Sequence, residues 1–329
     1  MSYFDRTELL SASQIKAFLK KGMANKSESR SLVIGSIVDL VLTEDVELEA
    51  TCQIDRGVNI PSGQMKTFTE KLYNFYQEDW LNGIEEISEE NYQKAYDEVG
   101  IKQRKVDKMI EDFNKDRSYF NHLLQRDILA SQGKYLISED EEKQVLKSIK
   151  EIRASNFNKY FEDGFTQLEI YTDYFKIKLD SLYIDWENKT IQLVDLKTMA
   201  DYTENFASNI VRFRYDIQAN FYYKVISDIL SGTKFTVGGP KADVFNRLWP
   251  EIKDFKLLDT FNFVFVSKRE SDVLEVRYKI EEEKEVLSTM LNTEYDINRA
   301  VLMHRECRDK NVEPNLTNYC MLNGSSITI

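Results

Sequence analysis

"KLDSLYIDWENKTIQLVDLKT", residues 178–198, sets two aspartates and a lysine where a pair of alternating strands would bring them together. At period two, Ile191, Leu193, Asp195 and Lys197 share one face, and Gln192, Val194, Leu196 and Thr198 share the other. A turn centred on Glu187-Asn188 puts Asp180 directly across from Asp195, and like charges so paired repel. A hard cation between the carboxylates resolves that repulsion, and such a cation activates water and neutralises charge growing on a phosphate in transfer. A lysine just beyond the aspartate is suited to orient the nucleophile or to stabilise the oxyanion. Leu196, between the two, points its side chain away and has a carbonyl to offer as a further oxygen ligand.

These residues need strands and a helix to hold them. From about residue 165 the period turns from helical to alternating, and "FTQLEIYTDYFKIKLDSLYIDWENKTIQLVDLKT" reads as three strands joined at "TDYF" and "WENKT". Glu169 falls on the first strand, Asp180 on the second, and Asp195 and Lys197 near the end of the third. The helix "DIQANFYYKVISDIL" (216–230) follows, with Ile217, Phe221, Val225 and Ile229 as its buried stripe and Gln218 and Tyr222 one turn apart. An Asp-x-Lys tripeptide alone means little. Its weight comes from Asp180 across the hairpin, Glu169 before it and the Gln-x-x-x-Tyr helix after it.

Upstream, "LLSASQIKAFLKK" (9–21) reads as a Ser-capped helix and "SRSLVIGSIVDLVLTE" (29–44) as a buried apolar one. Residues 64–155 are charged, rich in Glu, Lys and Tyr, and nearly free of Gly and Pro, which marks a helical insertion ending in the capped helix 138–155. "GTKFTVGGP" reads as a loop, "TFNFVFVSKRE" and "DVLEVRYKI" as a strand pair, and the residues from 281 onward as a long helix. Strands with helices before and after make an α/β or α+β core. The expected organisation is a single domain over 1–329: N-terminal helices in 1–50, the insertion at 64–155, and the sheet with its flanking helices at 165–329.

Composition narrows the chemistry. With 42% hydrophobic and 30% charged residues the chain is of globular type. No run approaches the ~20 apolar residues of a membrane helix, and the opening "MSYFDRTELLSASQ" lacks the layout of a secretory signal. Cys52, Cys307 and Cys320 are too few and too far apart for a disulfide framework or an iron–sulfur cluster, and His122 and His304 are too few for an ordinary zinc site. Any metal is expected to be a hard one, bound by carboxylate and carbonyl oxygens: magnesium, manganese or calcium. A net charge of −12 argues against adhesion of the whole surface to nucleic acid and confines any contact to a local basic channel. Three basic clusters stand out: Lys16 with Lys20 and Lys21, "IKQRKVDK" at 101–108, and "VRFRY" at 211–215. The first two read as solvated helix faces. In the third, Arg212, Arg214 and Tyr215 flank the site helix, either touching phosphate or lying in a solvated loop.

In order, "LSASQIKAFL", "GSIVD", "LEIY", "KLD", "VDLKT", "YDIQANFYY" and "FVFVSK" resemble the PD-(D/E)xK nuclease superfamily, in its RecB-like and RecE-like (exonuclease VIII-type) phage branch. The similarity is dense from 165 to 268. It implies a restriction-endonuclease-like core, a central mixed sheet flanked by helices, with a metal and catalytic site at Glu169, Asp180, Asp195 and Lys197. Gln218 and Tyr222 would then belong to the family's helix near DNA. The implied activity is magnesium- or manganese-dependent exonuclease digestion of double-stranded DNA ends in recombination or replication, in the cytoplasm of a bacterial or phage-infected cell. The implied partners are a single-strand annealing protein and further copies of the chain, encircling DNA. An endonuclease with the same core, or a module that binds DNA or a partner without catalysis, are the competing readings.

Two departures stand against the family pattern. Its Gly-x-x-x-His helix, whose histidine joins the metal, appears here as "GSIVD" with Asp39 in that place, and its Arg-Pro-Asp is "KLD". Asp39 is then either a ligand or a helix-edge residue facing water. Glu169 has a solvent-facing reading too, and Tyr222 one as plain helix packing.

Overall fold

The structure is a computed structural model that describes residues 3–19, 30–44, 46–100, 105–199, 205–268, 272–280 and 293–312. Lys20, Lys21, residues 101–104, residues 281–292 and Cys320 lie outside the described residues. The chain divides into two compact units, Met1–Val46 with Gln144–Ile329, and Glu47–Lys143.

The first unit opens with helix α1 (Ala12–Leu19), fixed by a reciprocal cap: the Ser11 N–H donates to Gln14 Oε1 at 2.8 Å and the Gln14 N–H to Ser11 Oγ at 3.4 Å. Helix α2 (Arg30–Thr43) is apolar around most of its circumference and buries Ile37 and Val38 completely.

The second unit holds α3 (Leu48–Thr51), β1 (Cys52–Asp55), α4 (Gly63–Leu81), α5 (Glu89–Val99), α6 (Val106–Lys115), α7 (Ser118–Ser131) and β2 (Tyr135–Ser138). Its core is aromatic, with Phe68, Phe113 and Phe120 meeting edge to face among Tyr73, Tyr76 and Tyr92. Strands β1 and β2 pair in parallel, a feature that the charged, helical reading of 64–155 did not contain. Lys108 is engaged along its own helix by Glu111 and Asp112, as a solvated face would be.

The first unit resumes within α8 (Glu139–Ala154) and continues through α9 (Lys159–Glu162), β3 (Phe165–Tyr171), β4 (Lys176–Asp185), β5 (Thr190–Met199), α10 (Phe206–Phe213), α11 (Tyr215–Leu230), β6 (Thr236–Gly238), α12 (Ala242–Ile252), β7 (Lys256–Ser267), β8 (Val273–Lys279) and α13 (Thr293–Asp309). Among the described residues one mixed sheet has six strands in the order β6-β3-β4-β5-β7-β8, with β5 and β7 parallel and the other pairs antiparallel. Helices flank it, and the chain has the mixed α/β fold expected. The β4–β5 hairpin turns at residues 186–189, held by Asn188 donating from backbone and side chain to the Asp185 carboxylate. "GTKFTVGGP" is not wholly a loop: Thr236–Gly238 forms β6 and covers the edge of β3, whose backbone groups would otherwise lack partners.

One sheet face packs Leu168, Leu193, Phe261, Phe263 and Phe265 against Ile217, Phe221 and Val225 of α11. Burying aromatic and aliphatic surface there, worth about 25 cal/mol per Å², supports the hairpin's site-bearing end.

Candidate active site

The site grows from a break in the strands. Thr166 pairs with Ser181 and Leu168 with Leu179, so Gln167 stands against Asp180 without pairing, and Gln167 has a left-handed φ of 49°. The β4–β5 ladder starts at Ser181 with Val194, one step short of Asp180 and Asp195. The register is therefore the one that a turn at Glu187-Asn188 dictates. Both aspartates lie just past the last pair, where the strands are free to splay. Asp180 answers to the next strand instead: its Oδ2 accepts the Leu196 N–H at 2.9 Å. What Leu196 supplies here is its amide.

Asp195 is 1% exposed. Its Oδ1 accepts from Gln218 Nε2 on α11 at 2.6 Å, and its Oδ2 meets the Lys197 ammonium at 2.5 Å. That second contact is a close ion pair between two largely buried groups. Lys197 lies over the Tyr215 ring, 5.0 Å from its centroid, and Lys16 of α1 lies 5.3 Å from the same centroid.

Helix α2 delivers Asp39. A β-carbon at Gly35, one turn earlier, would come within 2.7 Å of Thr198 Oγ1, so the glycine lets α2 approach the end of β5. Asp39 Oδ2 accepts from Gln167 Nε2 at 3.1 Å, while Asp39 Oδ1 is buried with no hydrogen-bond partner. Asp39, Asp180, Leu196, Lys197, Tyr215 and Gln218 line one cleft of about 760 Å³. A larger cavity of about 940 Å³, beside Arg6, Lys234 and Trp249, does not include the acidic cluster.

Electrostatics couples the cluster. Burial, then the neighbouring Asp195, pushes the Asp39 carboxyl up to about 6. Burial, then repulsion from Asp195 and Asp39, raises Asp180 well above the carboxylate range. Burial alone would lower Lys197, but the Asp195 and Asp180 carboxylates more than offset it and hold the ammonium above its ordinary value. Three acids and one base thus share a buried, partly open space. Among the described residues, no group of three His, Cys, Asp or Glu side chains is arranged to hold a metal ion.

Other expected residues fall elsewhere. Glu169 is not in the cleft. Core packing on β3 uses Phe165, then Leu168 and Ile170, because the left-handed Gln167 breaks the alternation. Glu169 and Tyr171 therefore face away from that core, and Tyr171 donates its hydroxyl to Glu169 Oε2 at 2.6 Å. Tyr222 is 7% exposed, with its ring against Phe221 and Phe261, so of the helix pair only Gln218 reaches the cleft. Arg214, left-handed at the corner between α10 and α11, is held by buried Asp216 and by Asp296 on α13 at 2.8 Å. Arg212 is exposed at the cleft, alongside Phe213. Lys16, read as part of a solvated face, lines the cleft, and Gln167 escaped notice altogether. Neither has a motif to announce it.

No family model matches the chain, and no curated protein matches it. A crystal structure of a "Putative exonuclease" from Eubacterium rectale aligns with a TM-score of 0.43 at 16% identity, covering 100% of this chain and 92% of that one. Likeness at that level carries no argument about activity. No helix among the described residues is long and apolar enough to cross a membrane.

Proposed function

We propose that the protein is a metal-dependent deoxyribonuclease with a PD-(D/E)xK core. The observation that carries this is the meeting of Asp39, Asp180, Lys197 and Gln218 in a single cleft, with the buried Asp195 joined to both Lys197 and Gln218. The donor set suits a hard cation: all oxygen, mutually repelling, with a buried Asp39 oxygen left bare. Asp39, Asp180 and Asp195 are the side chains that would hold magnesium or manganese. Bound there, the ion would activate water and offset charge on the phosphate. Gln218 fixes the rotamer of Asp195. Lys197, held protonated by its two carboxylates, serves as a cation and proton donor toward the attacked phosphate or the leaving oxygen, rather than as a base. Arg212, Lys16 and Tyr215 at the cleft would contact the DNA backbone.

By resemblance, the substrate is the end of double-stranded DNA, digested exonucleolytically in phage-type recombination or replication. A strand-annealing partner and a homo-oligomer belong to the same expectation. One observation favours the second reading, a DNA-binding module without catalysis: Lys197 closes on Asp195, and no ready metal group stands among the described residues.

Incubating the protein with linear and closed-circular DNA, with and without magnesium or manganese, separates these readings. Metal-dependent loss of linear DNA alone supports the exonuclease, and equal loss of both forms supports an endonuclease. Binding without cleavage of either, in either metal, leaves the module reading.

A further inference from the structure

Gln167 combines features that a plain strand residue does not need. It is 2% exposed, left-handed at φ 49°, and unpaired in the ladder opposite Asp180. Its backbone is backed by Gly239 at φ 98°, where a β-carbon would strike the Gln167 carbonyl oxygen. Its amide nitrogen is anchored twice, donating to Thr43 Oγ1 at 2.7 Å and to Asp39 Oδ2 at 3.1 Å, while Thr43 Oγ1 donates to the Asp39 carbonyl at 2.7 Å. A non-glycine residue in this backbone region persists only where its surroundings hold it. Here they hold a donor against one oxygen of Asp39 and leave the other bare.

Resting on the metal-site reading above, we infer that Gln167 is the positioning residue of that site. With Thr43, it fixes the Asp39 carboxylate so that Oδ1 alone faces a divalent cation. A neutral amide does this without adding a fourth negative charge to a cluster already strained by three. An ionised carboxylate at 167 could not donate to Asp39 and would also worsen the repulsion.

The test is manganese binding by calorimetry to the full chain stripped with EDTA. Gln167→Met keeps the volume and removes the donor; its dissociation constant should rise by about 10–100-fold, as for other residues that orient a ligand. Combined with Asp39→Asn, it should add nothing to the loss caused by Asp39→Asn alone. An unchanged constant in Gln167→Met, or an equal further loss in the Asp39→Asn background, overturns the proposal. If Gln167→Met does not fold by circular dichroism, Thr43→Val tests the same anchor with Gln167 in place. It should lose affinity in the same direction and recover it in Thr43→Ser, and unaltered affinity in Thr43→Val would also overturn the proposal. Wild type that binds no manganese, or Asp180→Ala that binds as tightly as wild type, removes the metal site itself; affinity lost in Asp180→Ala but unchanged in Gln167→Met and Thr43→Val removes only the positioning role.

Discussion

The clearest handle on the acidic cluster is the metal-free stability of Asp39→Asn as a function of pH. Moving the Asp39 carboxyl from its ordinary 3.8 to about 6 means the fold holds its protonated form better than the unfolded chain does. The stability from that proton is fully present below pH 3.8 and is lost as pH rises through about 6. At pH 8 the ionised group therefore costs the fold about 3 kcal/mol, and near pH 4 only about 0.5 kcal/mol. Asp39→Asn removes this cost and still accepts from Gln167, but it turns an N–H toward the space where Oδ1 has no partner, which costs about 1–2 kcal/mol. The net expectation in EDTA is a variant more stable than wild type by about 1–2 kcal/mol at pH 8 and slightly less stable near pH 4. Thermal or urea melts across that range should give curves that cross. Saturating magnesium should reverse the order at pH 8, since the ionised carboxylate is the form a cation takes up. A variant that melts below wild type at every pH in EDTA, with no crossing, would refute the account of the cluster as strained by its own charge.

Gly35→Ala should destabilise by about 1–3 kcal/mol through its clash with Thr198 Oγ1, and adding Thr198→Ala should restore most of the loss in thermal melts. Arg214→Gln should cost about 1–3 kcal/mol by removing the guanidinium shared by Asp216 and Asp296, whereas Arg212→Ala should leave the melt unchanged. In DNA-binding titrations Arg212→Ala should lower affinity uniformly and reduce the salt slope by about one. Lys197→Ala should abolish cleavage of linear DNA while retaining manganese binding by calorimetry. Glu169→Gln, by contrast, should leave both unchanged, since Glu169 bonds to Tyr171 away from the cleft.

The hairpin was legible because two independent signals, strict alternation and a turn at Glu187-Asn188, fix one register. From that register the meeting of Asp180 and Asp195 follows. Gln218 was legible as the helix residue one turn from Tyr222, but its partner Tyr222 was not separable from core, because helical spacing alone does not say which side of a stripe is wet. For Glu169 the sequence shows only a place on the first strand; which way it faces depends on Gln167, and a left-handed residue in a strand leaves no mark on composition. Arg214 was ambiguous for a different reason: its partner Asp296 is 82 positions away, and no local pattern records such a pair. Strand β6 was obscured by the glycines around it, which locally look like punctuation.

Asp39 and Gln167, hydrogen-bonded to each other, are separated by 128 positions in the chain, and the whole second unit is threaded between them. Closing so long a loop is less costly than it looks, because the entropy lost grows only with the logarithm of length: stretching a closure fourfold costs about 1.2 kcal/mol more. The second unit has an aromatic core of its own, so once folded it shortens the effective loop between the two residues. Asp180 and Asp195 meet within the local β4–β5 hairpin, so Asp39 is the carboxylate whose arrival depends on the long closure. The repulsion that Asp39 meets there is a cost on seating α2, and a cation that relieves it would stabilise the seated helix.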